Sequence, residues 1–380
     1  MQSGDHDFDH DGENGVLPSQ GIRALIGGGA IGSDTPVEDG QIQPASLDLR
    51  LGDIAYRIRA SFLPGRDRSV ADRLEDFAMH RIDLRDGAVL ETGCVYLVPL
   101  QERLALPATI SAAANAKSST GRLDLFTRLI GDHATEFDRL EARYAGPLYA
   151  EISPRTFSVL ARTGVRLNQI RFRTGDAAYT PDALVALHAA ERLVTVDGAP
   201  VPLDAAAADG GVGFSVDLRG QGGGAPIGYR AKRHSALIDL DRIGAYAIDE
   251  FWDTLHTDRH GRLILDPGAF YILASREAVH VPPGTAAEMV PYSALVGEFR
   301  VHYAGFFDPG FGHAAVGGSG ARGVLEVRCH ETPFALEHGQ VVGRLLYEPM
   351  QAEPDILYGG AVKSSYQGQG LKLSKHFAAP

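Results

Sequence analysis

The sequence predicts a mainly β protein made of two tandem β-barrel or β-sandwich domains with a few short helices. Three observations predict this fold class. Short apolar runs alternate with Gly, Pro, Asp and Asn turns over residues 42–172. Apolar residues follow helical spacing in only two short segments, residues 21–29 and 181–193. The second half of the chain also repeats the apolar and glycine pattern of the first half.

The first domain is predicted to begin with a short helix and to continue as strands. The helix is expected over residues 21–29, where a glycine run follows the apolar stripe. Residues 42–52 alternate apolar and polar side chains into a glycine, which predicts a half-buried strand with Asp48 and Arg50 on one face. Further strands are expected at residues 54–58, 95–99, 110–116, 123–129, 148–152, 158–161 and 168–172.

Composition changes mark the expected domain boundaries. Residues 1–15 are rich in Asp, His and Gly, which predicts a disordered tail. The first domain is expected over residues 16–175 and the second over residues 209–380. Residues 176–208 are rich in Ala, Asp and Pro and are interpreted as a linker with a helix at residues 181–193.

The repeat appears when the sequence is shifted by 175 residues against itself. Two long, non-identical units joined by a linker indicate a domain duplication and not a solenoid. At a slightly different shift, Ser46–Arg50 is echoed by Ser215–Arg219. The positions that coincide at a shift of 175 are Leu90 with Leu265, Gly93 with Gly268, Tyr96 with Tyr271, Pro107 with Pro282, Ser118 with Ser293, Glu151 with Glu326, and Gly164 with Gly339.

Composition and charge exclude several classes of function. A chain of 380 residues with 44% hydrophobic residues is long enough to form two cores. A formal net charge of -12 argues against polymeric nucleic acid or an anionic membrane as partner. We find no signal peptide and no apolar run near the roughly 20 residues that cross a bilayer. Cys94 and Cys329 form no disulfide or thiolate-metal pattern, so we expect a cytoplasmic protein.

The segment Lys117–Arg122 is a candidate phosphate-binding turn. It places the hydroxyls of Ser118 and Ser119 between two cations, and its small residues let a ligand approach the backbone. Such a turn is also common on protein surfaces without a ligand. Its counterpart in the second copy, residues 292–297, contains no cation.

The second copy carries an Asp-Pro-Gly turn between aromatic residues, at Asp308, that the first copy lacks. Each copy therefore retains a different half of a site. This predicts one composite pocket, with phosphates bound by the first domain and a planar ring against the hairpin of the second. The alternative is that the Asp-Pro-Gly turn only closes a hairpin.

The order of these motifs resembles the dCTP deaminases of the trimeric dUTPase superfamily, over nearly the whole chain from Gly21 to Phe377. The resemblance implies dUTPase-like, jelly-roll-like distorted β-barrel domains that trimerise, and an active site shared between subunits. It also implies a Mg²⁺ ion carried by the triphosphate and deamination without zinc. The motifs are Ser-x-Asp-x-Arg-x-Gly at residues 46–52, Ser-Ser-x-x-Arg at 118–122, the Asp-Pro-Gly hairpin at 307–312, Leu-Glu at 325–326 and Tyr-Gln-Gly-Gln-Gly at 366–370.

The resemblance also implies roles for individual residues. Two positions depart from the family pattern, since Ser365 replaces a lysine and Gly305 replaces a histidine. No residue is expected to bind a metal directly. The implied catalytic residues are Ser118, Arg122, Glu326 and Glu151, and the implied substrate-binding residues are Lys117, Ser119, Ala304, Asp308, Tyr358, Lys363 and Gln369.

One carboxyl group is sufficient for the chemistry of this reaction. Replacing the C4 amine of cytosine by oxygen requires an activated water and proton delivery to N3 and to the amine, and one glutamate can relay these protons. Glu326 follows an apolar strand, so burial should raise its pKa. It lies on the same hairpin as Asp308 and is expected to face Arg122 and Ser118 of another domain. Glu151 is then a relic or a structural partner of a buried arginine.

The leading hypothesis is an enzyme that hydrolyses the C–N bond of dCTP to give dUTP and ammonia, in the supply of pyrimidine deoxynucleotides. One alternative is a dUTP diphosphatase or a bifunctional enzyme that performs both reactions. Another is a nucleotide-binding regulator without catalysis. The zinc-deaminase pattern H-x-E with P-C-x-x-C is absent. We expect a homo-oligomer, either a trimer or a smaller pseudo-symmetric assembly.

Overall fold

The computed structural model describes residues 14–176, 178–220, 225–291, 299–301, 305–360 and 366–379. Strands make up most of the regular structure in these ranges, and the longest of their helices, Pro181–Glu191, has 11 residues. The predicted mainly β fold with a few short helices is therefore confirmed. Below, the N-terminal half denotes residues 14–176 and the C-terminal half denotes the described residues from 178 onward.

Two antiparallel sheets form the N-terminal half. In the first, strands β1, β13, β8 and β10 lie in that order, with β3 also paired to β13. In the second, the order is β5, β4, β7, β11 and β9, with β2 also paired to β7. The strands are β1 (Gly15–Val16), β2 (Ile31–Ser33), β3 (Leu47–Arg50), β4 (Ile54–Ile58), β5 (Ala78–Asp83), β6 (Ala88–Leu90), β7 (Val95–Ala105), β8 (Ile110–Ala116), β9 (Leu125–Gly131), β10 (Arg139–Leu140), β11 (Ala145–Pro154), β12 (Val159–Ala161) and β13 (Arg166–Thr174).

The C-terminal half also contains two larger sheets. One orders β15, β14, β21, β17 and β19, with β25 paired to β21 and to β23, and the other orders β16, β27, β22 and β24. Its long antiparallel pair β21–β25 is the counterpart of β7–β11. The strands are β14 (Val194–Val196), β15 (Ala199–Pro200), β16 (Val212–Ser215), β17 (Gly228–Ala231), β18 (Ile238–Asp239), β19 (Trp252–Leu255), β20 (Arg262–Leu265), β21 (Phe270–Val279), β22 (Thr285–Pro291), β23 (Phe299–Val301), β24 (Phe306–Phe307), β25 (Ala321–Cys329), β26 (Phe334–Glu337) and β27 (Val341–Pro349).

The helices of the described ranges are short, and α2, α4 and α5 begin at a side-chain cap. Helix α4 starts at Pro181 with the Thr180 hydroxyl accepting a hydrogen bond from the amide of Ala183. The sequence prediction missed α2, which a Ser69–Asp72 capping box begins, because Val70 is its only buried residue. The helices are α1 (Ser19–Gly27), α2 (Val70–Phe77), α3 (Ser118–Gly121), α4 (Pro181–Glu191), α5 (Ala205–Ala208) and α6 (Ile248–Phe251), with 3₁₀ turns at Asp39–Gln41 and Ala314–Val316.

Several predicted boundaries are wrong. The half-buried strand expected over residues 42–52 forms only at Leu47–Arg50, and it is fully buried. The tail was expected to include Gly15, but Gly15 pairs with Thr174 in β1; residues 1–13 lie outside the described ranges. The linker ends earlier than residue 208, because Val194 pairs with Val279 and joins the sheet of the C-terminal half. The strand expected at residues 123–129 begins only at Leu125, after α3.

The two halves share a continuous core. Strand β12 pairs in parallel with β18 of the C-terminal half. The ring of Phe157 lies 5.4 Å from that of Trp252, and Trp252 lies 5.7 Å from Phe377, measured between ring centroids. Such edge-on aromatic contacts bury large apolar areas. The halves are thus held together by backbone pairing and by aromatic packing. No helix in the described part of the chain is long and apolar enough to cross a membrane.

Candidate active site

A cleft of about 810 Å³ lies between the two halves of the chain. Helix α3 and strand β13 contribute side chains from the N-terminal half, and β24, β25 and the C-terminal segment, which denotes the described residues after β27, contribute side chains from the C-terminal half. The structure therefore brings the two half-sites predicted from the sequence into one cleft. The predicted site residues that line it are Lys117, Ser118, Ser119, Arg122, Asp308, Glu326, Tyr358 and Gln369.

Helix α3 presents hydroxyls to the cleft. The sequence predicted a turn with exposed backbone amides, but the structure has a single helical turn here. The amides of Thr120 and Gly121 both donate to the carbonyl of Lys117, at 2.8 and 3.0 Å. These two amides are therefore not available to a ligand, whereas Ser118 and Ser119 line the cleft with their hydroxyls.

Arg122 is a buried guanidinium held by the C-terminal segment. Its Nη1 donates to the carbonyl of Lys372 and its Nη2 to Oε1 of Gln369, both at 3.0 Å. The guanidinium carbon lies 3.9 Å from the ring centroid of Tyr366, a cation–π contact. Its Nε lies 3.8 Å from Oε1 of Glu326 and has no hydrogen-bond partner among the described residues. Arg122 thus keeps one buried donor for a ligand or water.

Glu326 reaches the cleft because side chains alternate along β25. Leu325 and Val327 point into the core of the C-terminal half, whereas Val324 packs with the core of the N-terminal half. Glu326, on the Val324 side, is 4% exposed. Burial raises the pKa of Glu326 to about 8, and the charge of Arg122 opposes that rise. A carboxyl with this pKa exchanges protons near neutral pH, as general acid–base catalysis requires.

Asp308 is held by an arginine that the sequence analysis did not identify. Arg171, fully buried in β13, donates from Nη2 to Oδ1 of Asp308 at 3.3 Å and from Nη1 to the carbonyl of Ala287 at 3.2 Å. Its guanidinium carbon lies 4.0 Å from the ring centroid of Phe306. Burial raises the pKa of Asp308, and Arg171 lowers it. In the sequence Arg171 is one of three arginines in β13, and only its position between Ile170 and Phe172 hinted at burial.

Two lysines, Lys117 and Lys375, also line the cleft. Lys117 forms an ion pair with Asp48, whose second oxygen is buried without a hydrogen bond. Lys375 also lines the cleft, and the structure gives its ammonium no hydrogen bond or ion pair with any described residue. Burial and repulsion from Lys117 lower the pKa of Lys375. Two cations with one carboxylate between them favour binding of an anion. The sequence analysis missed Lys375, which follows the tail motif.

The structure does not bring Glu151 into this cleft. Glu151 lies on β11, is 2% exposed, and accepts a hydrogen bond from Arg128 at 2.5 Å. The guanidinium carbon of Arg128 lies 3.5 Å from the ring centroid of Phe137. Among the two glutamates that match at a shift of 175, only Glu326 therefore faces Arg122. The arrangement supports the interpretation of Glu151 as the structural partner of an arginine.

The remaining predicted residues belong to the C-terminal segment and the hairpin. Tyr358 packs its ring 5.6 Å from that of Phe311, and its amide donates to the carbonyl of Pro309 at 2.9 Å. Tyr358 therefore fixes the C-terminal segment to the Asp-Pro-Gly turn. Ala304 and Lys363 lie outside the described residues.

A buried carboxyl facing a buried guanidinium, with hydroxyls and cations nearby, defines the polar active-site cleft of an enzyme acting on a small anionic molecule. The family model described as the 2'-deoxycytidine 5'-triphosphate deaminase (DCD) N-terminal domain matches residues 13–176, and the model of its C-terminal domain matches residues 180–377. The chain belongs to the 2'-deoxycytidine 5'-triphosphate deaminase family. The resemblance seen in the sequence motifs is confirmed.

Proteins that are similar to this chain are named as deaminases of dCTP. The crystal structure of 2'-deoxycytidine 5'-triphosphate deaminase from Agrobacterium tumefaciens is 55% identical, with a TM-score of 0.82, over 90% of this chain and 99% of that one. "dCTP deaminase, dUMP-forming" from Beutenbergia cavernae is 30% identical over 163 residues, 41% of this chain and 78% of the relative. "dCTP deaminase" from Haloarcula marismortui is 29% identical over 153 residues, 40% of this chain and 75% of the relative.

Proposed function

We propose that this protein deaminates dCTP to dUTP and ammonia in the cleft between its two halves. The observation that carries the proposal is the pair of Arg122 and Glu326, one from each half, buried and 3.8 Å apart. Family membership supports the reaction, and the matching of separate family models to the two halves supports the duplicated domain organisation. Residues 16–175 remain our proposed first domain, whereas the second domain, which we expected from residue 209 to residue 380, begins no later than Val194, which pairs with its sheet. We propose that the chain forms a homo-oligomer.

Glu326 is the proposed proton relay. As a carboxylate it takes a proton from water while the water oxygen bonds to C4 of the base, and it then passes that proton to N3. It takes the second proton from the new C4 hydroxyl and delivers it to the amino group, after which the C–N bond breaks and ammonia leaves. Ser118 orients the water. The free Nε–H of Arg122 stabilises charge that develops near the carboxyl.

The cationic part of the cleft is the proposed triphosphate site. Lys117 and Lys375 supply positive charge, and we propose that Mg²⁺ arrives bound to the phosphates. The described residues contain no group of three or more His, Cys, Asp or Glu side chains that would hold a metal ion by themselves. The unpartnered oxygen of Asp48 fits one ligand, direct or through water, of a hydrated Mg²⁺. When bound, Mg²⁺ would neutralise phosphate charge.

The base and sugar are proposed to lie against the hairpin of the C-terminal half. Asp308 is already fixed by Arg171, so it presents an acceptor without further ordering. Phe306 and Phe311 also line this side of the cleft. Gln369 and Tyr366 hold Arg122 from the C-terminal segment, so this segment both covers the cleft and orients a catalytic group.

The direct test is incubation of the purified protein with dCTP and Mg²⁺, followed by quantification of ammonia, pyrophosphate and the nucleotide product. We expect ammonia and dUTP in equal amounts. Pyrophosphate with dUMP would establish a bifunctional enzyme, an outcome that the name of the Beutenbergia cavernae relative favours. Binding of dCTP without either product would contradict the proposal and leave a nucleotide-binding regulator.

The pH dependence of turnover is expected to follow Glu326. Its carboxylate must accept a proton first, and burial raises its pKa to about 8. The kcat/KM for dCTP should therefore rise as the pH increases toward about 8 and level off above it, because kcat/KM reports the free enzyme. Ammonia release measured from about pH 6.5 to about pH 9.5 at constant Mg²⁺ and ionic strength checks this expectation. A flat profile over that range would contradict the assignment.

A further inference from the structure

Two ion pairs join the halves next to the cleft, and their charges occur in reciprocal order. In the N-terminal half the cation Arg122 precedes the anion Asp124 by two residues. In the C-terminal half the anion Glu326 precedes the cation Arg328 by two residues. Arg122 faces Glu326, and Asp124 forms an ion pair with Arg328. In each half, the residue of the proposed catalytic pair is thus followed two positions later by a residue of opposite charge, and these two later residues form the second ion pair.

The second pair is fixed from both halves. Asp124 is 1% exposed and accepts a hydrogen bond from the hydroxyl of Thr156 at 2.6 Å, while its carbonyl accepts from the amide of Arg155 at 3.0 Å. Arg328 donates from Nη2 to Asp124 and, at 3.0 Å, to Thr156, and from Nη1 to the carbonyl of Gly268 at 2.6 Å. Neither Asp124 nor Arg328 is among the described residues that line the cleft.

The spacing of the charges along β25 makes the second pair sensitive to where the facing turn of the N-terminal half lies along that strand. Glu326 and Arg328 lie on the same face of β25, roughly 7 Å apart along the strand. A displacement of the turn at residues 122–124 by about 7 Å along β25, two residues of a strand, would bring Arg328 opposite Arg122 or Glu326 opposite Asp124, and like charges in a buried contact repel. The reciprocal order therefore favours a single register, in which Glu326 faces Arg122.

The chain's own repeat shows that this pair belongs to one contact only. At a shift of 175, Asp124 coincides with Phe299, and Arg328 coincides with Ser153. The charged pair is thus present only where the turn of the N-terminal half, at Asp124, contacts β25 of the C-terminal half, at Arg328. The two counterpart positions, Phe299 of the C-terminal half and Ser153 of the N-terminal half, carry no charges and so cannot form such a pair.

We propose that Asp124 and Arg328 are positioning residues that set the register between the halves and so hold Glu326 within reach of Arg122. This inference rests on the proposed function. Since a misplacement of about 1 Å in a catalytic group costs up to about 10²-fold in rate, the pair acts on turnover through the alignment of Glu326.

The test compares the single variants D124N and R328Q, their double variant and R328K. Asparagine is nearly isosteric with aspartate and tolerates the left-handed backbone of Asp124, which has φ 53°. We expect D124N and R328Q to lower kcat for dCTP deamination by about 10- to 100-fold, with KM changed by less than about twofold. The double variant should be no slower than the slower single variant, because both remove one interaction. R328K keeps the charge and should retain most of the wild-type kcat.

The matched control is R162Q. Arg162 also joins the halves, through an ion pair with Asp239 at 2.7 Å, but is not among the residues that line the cleft. The kcat of R162Q for dCTP deamination should equal that of the wild type. Unchanged kcat in D124N and R328Q, an equal loss in R162Q, a loss in R328K as large as that in R328Q, or failure of D124N and R328Q to fold would each overturn the inference. Absence of ammonia from the wild type would instead overturn the proposed function.

Discussion

Replacing Glu326 by glutamine is expected to lower kcat for ammonia release from dCTP by about 10³-fold, within the range that loss of a general acid–base group produces. Glutamine preserves the size of the side chain and can donate or accept a hydrogen bond, but it cannot carry a proton from water to N3 or to the amine. Steady-state assays with dCTP and Mg²⁺ measure the effect. Binding of dCTP should persist, because Arg122 and the cationic residues remain in place.

Glu151→Gln is the matched control, since the two glutamates coincide in the sequence repeat and both are buried beside an arginine. Its kcat should remain within about twofold of the wild type, as expected for a residue that contacts no substrate. If Glu326→Gln left turnover intact and Glu151→Gln abolished it, the assignment of the composite cleft as the active site would be wrong.

The thermal stability of Glu326→Gln distinguishes a loss of catalysis from a loss of folding. Burial raises the pKa of Glu326 from its ordinary value of 4.5 to about 8 in the folded state. Above about pH 4.5 the unfolded chain releases this proton while the folded chain retains it, so the residue destabilises the fold increasingly up to about pH 8. Glutamine removes this cost, which is at most a few kcal/mol. The variant should therefore unfold at a higher temperature than the wild type at pH 8, but not at pH 4.

Replacing Arg122 by glutamine is expected to lower kcat by about 10²- to 10³-fold, the usual effect of losing one donor that stabilises the transition state. The guanidinium makes two hydrogen bonds to the C-terminal segment and faces Glu326. Because its positive charge lowers the pKa of Glu326, its loss should also move the rising limb of the kcat/KM profile to higher pH. Kinetics across the pH range measure both effects.

Arg128→Gln provides the control for this variant. Arg128 is the arginine that contacts Glu151, outside the cleft. Its removal should change stability but leave the position of the pH profile unchanged. Equal kinetic losses in the Arg122 and Arg128 variants, or a profile of Arg122→Gln shifted to lower pH, would contradict the role assigned to Arg122.

The parts of the fold that local sequence patterns determine were predicted. Alternation of apolar and polar residues predicted most strands of the N-terminal half. The apolar strand that leads to Glu326 predicted that its side chain would be at least partly desolvated, and it is 4% exposed. Comparison of the two copies also predicted that Lys117–Arg122 and the Asp308 hairpin would share one pocket, and the structure brings them together. These features depend on residues close in the sequence or on the repeat.

The features that were missed depend on how the halves pack. Arg171 is one of three arginines in β13, and nothing local to that strand shows that it reaches Asp308, 137 residues away. Strand periodicity assigns a side chain to a face but does not name its partner across an interface. The same limit applies to Lys375. The repeat alone matched Glu151 with Glu326, and the sequence favoured Glu326 only because it lies on the same hairpin as Asp308; it did not identify Arg128 as the partner of Glu151.

The measurement that tests the central claim most directly is complementation between Arg122→Gln and Glu326→Gln. Because both halves of one chain build the cleft, every chain of either variant should carry a defective site, and co-expressed variants should show no more activity than the two separate variants. If the functional pair instead formed between chains, random assortment in an oligomer would restore about a quarter of wild-type ammonia release. No recovery is the result we predict, and recovery near that level would contradict a site assembled within one chain.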